Sequence, residues 1–115
     1  MADENLSAIS HVSLGTNDFE RAVRFYDAVL PTLGCKRIMQ HPGAAAWGKE
    51  LPEFWVQTPI DGRPASVGNG THFGFVASDK TQVHAFHEAA RDLDGHKIEA
   101  AYWDLELIKK LYTDK

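Results

Sequence analysis

The chain has 115 residues with a formal net charge of −4, 43% apolar and 24% charged, which is one globular domain of ordinary composition. The acidic balance excludes a basic footprint for nucleic acid or an anionic membrane, and the apolar runs are too short to span a bilayer. Cys35 is the only cysteine, so no internal disulfide forms; with an acidic start at Met1–Asn5 that does not read as a secretory signal, a cytoplasmic location is expected.

Taken in order, Ile9 to Gly15 alternates as a strand, with Ile9, His11 and Ser13 on one face and Val12 and Leu14 on the other. Asn17 then reads as a helix N-cap with Glu20 three residues on. Phe19, Ala22, Val23, Tyr26, Leu30 and Leu33 follow as one apolar stripe. Pro31 predicts a break in that helix and Gly34 a stop. Cys35–Gln40, Ala44–Gly48 and Phe54–Gln57 read as strands, the first two joined by the turn His41-Pro42-Gly43. The order is therefore β-α-β-β-β.

A linker rich in Pro, Gly and Asn runs from Thr58 to Gly70. The pattern then restarts, with a strand at Thr71–Ala77 and a helix from Ser78 or Asp79, where Gln82 completes a cap. The second half departs from the first after Ala90. Asp94-Gly95 is a hairpin-turn signal, but a helix precedes it instead of a strand. Lys97–Tyr102 reads as a strand, and Asp104–Lys115 as a short helix with Leu105, Ile108 and Tyr112 on one side.

Ile9-Ser10-His11-Val12-Ser13-Leu14 with Arg21–Tyr26, Gly68–Phe75, and Asp94–Ala100, in this order and spacing, resemble the vicinal oxygen chelate superfamily. Its members include glyoxalase I, extradiol dioxygenases, fosfomycin-resistance proteins and bleomycin-binding proteins. The resemblance implies an α+β fold of paired βαβββ modules curled into a cup, and the exposed edges of such a cup favour a dimer. It divides the chain into a first module at about 7–58, a linker at about 59–70, a second module at about 71–104 and a tail at 105–115. It also marks an interruption between Ala90 and Arg91, where the family has a glycine-rich loop and further strands. Either the protein carries an internal deletion there, or the sequence omits a stretch of the whole protein. With a deletion, the second module has two strands in place of four, leaving a sheet edge free.

At the family's ligand positions stand His11, His72 and Glu99, each on the strand face opposite the apolar residues. Two imidazoles and a carboxylate suit a divalent iron, manganese, nickel or zinc ion with open coordination positions. One His or Glu alone on a wet strand face would mean nothing; three at matching positions favour a metal site. Glyoxalase-type members add a glutamate where this chain has Gln57, which supplies a weak neutral ligand but no carboxylate base. Trp47, Trp55 and Gln57 are the candidate substrate contacts, although strand aromatics more often fill the core. No catalytic base is assigned. The expectation is a metal-dependent enzyme for a small molecule, by glyoxalase-like or ring-cleaving chemistry. The alternative is a drug-sequestering binding protein of the same fold.

Overall fold

Strand β1 is shorter than its alternating pattern, running Val12–Gly15. It pairs in parallel with β4, Phe54–Gln57, and the first bond joins the Val12 N–H to the Glu53 carbonyl at 3.0 Å. The next bond of a parallel ladder would run from the Glu53 N–H to the Ser10 carbonyl, but that N–H donates to the Trp47 carbonyl at 3.0 Å, so the ladder stops there. His11 consequently lies just outside the strand, and both it and Ile9 are exposed. This computed structural model describes residues 8–90 and the backbone of 97–102. The Asp94-Gly95 turn and the helix expected at Asp104–Lys115 lie outside the described residues.

Helix α1, Phe19–Val29, is capped by Asp18 and not by Asn17: the Asp18 carboxylate accepts from the Arg21 N–H at 3.2 Å. Asn17 is engaged elsewhere. The expected break at Pro31 is a 3-10 turn, Leu30–Leu33, ended by Gly34 at φ 80°. The stripe Ala22, Val23, Tyr26 and Val29 is buried, recurring at helical spacing so that one face meets the sheet. Fully burying one such side chain contributes about 1.5–3 kcal/mol.

Strands β2 (Lys36–His41) and β3 (Ala44–Gly48) complete a four-stranded mixed sheet in the order β1-β4-β3-β2. Pro42 and Gly43 connect them, with Gly43 at φ 76°, the combination that suits the two central positions of a tight turn. The β2–β3 register slips between Arg37 and Met39: Arg37 pairs with Trp47, whereas Met39 pairs with Ala46. That bulge has a use. It lets Arg37 share the helix side with Trp47, while Met39 and His41 fall on the opposite side. Asp27 of α1 accepts from the Trp47 indole N–H at 2.9 Å and pairs with Arg37 at 3.3 Å, tying helix to sheet.

The second half begins with β5, His72–Ala77, and α2, Lys80–Ala89. Asp79 and Gln82 cap α2 reciprocally: Asp79 accepts from the Gln82 N–H and the Gln82 amide oxygen accepts from the Ser78 N–H, at 2.8 and 2.7 Å. The chain then returns as β6, Lys97–Tyr102, parallel to β5. Among the described residues the second sheet is this two-stranded ribbon. One core runs through both halves, with Tyr26, Trp47, Phe54, Val56, Ala77 and Phe86 in a single buried cluster. Phe54 and Phe75 meet edge to face across the halves, centroids 5.1 Å apart. No helix among the described residues is long and apolar enough to cross a membrane.

Candidate functional site

Pleat parity and register sort the first sheet into a core side and an open side. Leu14, Val56 and Ala45 are register partners on the core side, as are Val12, Phe54 and Trp47. The open side therefore carries Ser13, Trp55, Ala46 and Met39 in one row, and Gly15, Gln57, Ala44 and His41 in the next. The two tryptophans that the sequence groups together are thus separated by the sheet. Trp47 is 1% exposed among core aromatics, so it packs the core and is closed to substrate. Trp55 is half-buried and Gln57 exposed, and both remain on the open side. The Trp55 indole lies parallel to the His41 imidazole, 7° between planes and centroids 6.4 Å apart, an offset stack on the open side.

The linker forms one wall of this face. A recess of about 340 Å³ lies between Ser13 and Gln57 on one side and Pro59, Asp61, Pro64 and Ser66 on the other. Asn17 holds it closed: its amide donates to the Ala65 carbonyl at 3.1 Å and accepts from the Ala65 N–H at 2.6 Å. The side chain mimics a strand neighbour and satisfies both backbone polar groups of one residue. A side chain on Gly15 would meet the Ala65 methyl at 3.1 Å, so the linker sits close because Gly15 is bare. Asn17→Ala is expected to leave the helix cap intact and to release the linker. Limited proteolysis should then cut within 59–70 several-fold faster than in wild type; unchanged cutting would reject the clamp.

The predicted metal ligands are differently placed. His11 lines a shallow recess with Ala8, Ile9, Ser10 and Glu53, and its Nδ1 lies 3.0 Å from the Ser10 hydroxyl. His72 instead lines a deeper cleft of about 460 Å³ between the halves, whose wall also includes Glu53. Neither of these two cavities has both histidines in its wall. Among the described residues no three His, Cys, Asp or Glu side chains assemble into a set that could hold an ion. Glu99 is at the β6 position opposite Gly74, one pleat repeat beyond the position opposite His72; its side chain lies outside the described residues. Cys35 also lines the cleft, and burial pushes its thiol up, partly offset by the Lys49 ammonium and reinforced by Glu53. It is a neutral thiol at neutral pH, not a nucleophile.

Sequence reasoning missed His41, Ser13 and Asn17 as contributors. His41 looks like a turn residue beside Pro42, and only the bulge reveals which face it joins. Asn17 carries the signal of a cap, and its true partner is 48 residues away.

No protein-family model and no curated protein matches the chain. Among solved structures it is similar to a glyoxalase/bleomycin resistance protein from Albidiferax ferrireducens T118, at 34% identity and a TM-score of 0.79, covering 84% of this chain and 99% of that one. A glyoxylase/bleomycin resistance protein/dioxygenase domain from Frankia sp. EAN1pec matches at 19% identity and a TM-score of 0.56, over 84% of this chain and 97% of the other. An integron cassette protein from V. cholerae matches at 16% identity and a TM-score of 0.59, over 90% of this chain and 100% of the other. The last two likenesses concern the fold alone.

Proposed function

The chain belongs to the glyoxalase/bleomycin resistance protein family, and from that premise we propose that it binds a small, planar organic molecule on the open side of its four-stranded sheet. One observation carries the reading: Trp55 and His41 offer a parallel aromatic surface, with the exposed Gln57 one pleat repeat away on the same side. A flat ring stacked there gains dispersion and about 0.5–1.5 kcal/mol beyond its area burial. Gln57 supplies both a donor and an acceptor, and Ser13 a hydroxyl, to fix orientation. An apolar surface with a few polar groups is the usual make-up of small-molecule sites. The fold family commonly forms dimers, and a homodimer that covers an open sheet edge is part of the proposal.

The fold family is generally metal-dependent, so the donor set has to be weighed on its own geometry. His11 and His72 line separate cavities, and the described donors form no chelating trio. As arranged, they do not fit a divalent ion, and no step is routed through one. A second reading has one observation behind it: His72 and Glu99 occupy neighbouring strands, with Glu99 in register two residues beyond His72. Under it, His11, His72 and Glu99 would be the ligands of a metal-dependent enzyme.

The test is a thermal-shift screen of planar heteroaromatic compounds in the presence of a chelator. A hit should bind Trp55→Ala at least about tenfold more weakly, equivalent to 1.4 kcal/mol, and Gln57→Ala severalfold more weakly. Stabilisation that requires an added divalent ion and vanishes in His72→Ala would overturn the binding reading in favour of the enzyme.

A further inference from the structure

We propose that the cleft between the two halves is a second binding site, for a small, uncharged, apolar molecule that carries an amide. This goes beyond the sheet-face reading and does not depend on it, because the cleft lies on the core side of β4 and Trp55 on the other. Its volume of about 460 Å³ lies within the range of ligand pockets.

Three features fix the ligand class. First, the walls are apolar, with Val12, Leu33 and Phe54 from the first half and Phe73, Phe75 and Val76 from the second. Such surface is poorly served by water and favours an apolar guest. Second, the lysine and the carboxylate in the wall oppose each other. Lys49 and Glu53 both line the cleft, and both are near enough to act on the Cys35 thiol in the same wall. A carboxylate that approached Lys49 would also meet Glu53, and an ammonium would face the reverse, so neither charge is favoured.

Third, five consecutive residues of β5, His72 to Val76, line the cleft. Successive strand residues point to opposite faces, so a wall made of all five is the strand's edge. The other edge of β5 pairs with β6; towards the cleft, Phe73–Val76 pair with no strand among the described residues. Backbone N–H and C=O groups along such an edge are strong hydrogen-bonding groups that need partners. An amide supplies one donor and one acceptor at the spacing of a strand neighbour, which a hydrocarbon cannot do.

Cys35 is the only cysteine and lines this cleft, which makes it a reporter of occupancy. Its labelling by a neutral alkylating reagent, at a pH above the ordinary thiol range, would be followed with N-acetylphenylalanine methylamide as the probe. At ten times its dissociation constant the probe should slow labelling about tenfold. N-acetylphenylalanine, which differs in carrying a carboxylate, should protect far less at the same concentration. Val76 is 66% exposed, so Val76→Glu should fold, yet its new carboxylate should abolish protection. Trp55→Ala should keep full protection, which separates this site from the sheet face. Absence of protection by the methylamide, or equal protection by the carboxylate, would overturn the proposal. So would labelling that slows with protein concentration alone, because a second copy of the chain would then fill the cleft.

Discussion

Replacing Trp47 by alanine is expected to lower the unfolding free energy by about 3–5 kcal/mol, whereas Trp55→Ala should cost only about 1 kcal/mol. The two residues are eight positions apart in sequence and on adjacent strands, but Ala46 and not Trp47 is the register partner of Trp55. Trp47 therefore points to the core. Its ring is 1% exposed and lies among Tyr26 and Phe54, with centroids 5.6 and 6.4 Å away. Truncation removes the largest buried side chain among the described residues and also takes the donor from Asp27. Asp27 keeps Arg37, but that pair is more than a third exposed, and surface pairs contribute little. Trp47→Phe retains most of the volume and should cost about 1–2 kcal/mol, chiefly the lost hydrogen bond. Urea midpoints for the three variants check this. A total stability of about 5–15 kcal/mol is typical, so Trp47→Ala removes a large share. Equal losses at Trp47 and Trp55 would show that the assignment of faces is wrong.

The first half of the fold was legible because its signals are local and agree. The apolar stripe of α1, the Pro31 break, the Gly34 stop and the Pro42-Gly43 turn each rest on chemistry within a few residues. The second helix was equally clear, since Asp79 and Gln82 form their cap across three residues. What the sequence could not convey was parity between strands. Ala44–Gly48 has no polar alternation to read, so Trp47 and Trp55 look equivalent until register places them on opposite sides. The extra residue at the β2 bulge has no sequence mark, yet it decides that Arg37 meets Asp27 and His41 meets Trp55. His11 shows the opposite error: alternation continues through it, but the Glu53 N–H on the neighbouring strand is turned to the Trp47 carbonyl, and pairing begins only at Val12. The site is correspondingly mixed. Of the three candidate contacts, register puts Trp55 and Gln57 on the open face and Trp47 in the core.

Gly48→Ala should be as damaging as any change in the core, although nothing about its backbone angle demands glycine. The reason is close approach. A methyl group at this position would lie 1.8 Å from the Leu51 carbonyl oxygen and 3.3 Å from the Glu53 nitrogen. Residues 49–53 fold back tightly here, closed by the Glu53 N–H donating to the Trp47 carbonyl at 3.0 Å. Backbone cannot yield as a side chain does, so the loop must shift as a unit. That breaks the closing bond and strains the adjoining Val12–Glu53 bond at the start of β1. Overpacking typically costs about 1–3 kcal/mol and a hydrogen bond about 0.5–1.5 kcal/mol, so a total of about 3 kcal/mol or more is expected. Gly62→Ala is the matched control. Gly62 has φ 72° but nothing within 4 Å of the added methyl, leaving only the left-handed strain of about 1–2 kcal/mol. Denaturation midpoints should rank Gly48→Ala well below Gly62→Ala, and the reverse order would refute the close-approach argument. The same shift moves Lys49 and Glu53, which both line the cleft. Labelling of Cys35 should therefore change in Gly48→Ala and remain at the wild-type rate in Gly62→Ala, which links the turn to the shape of the cleft and not only to stability.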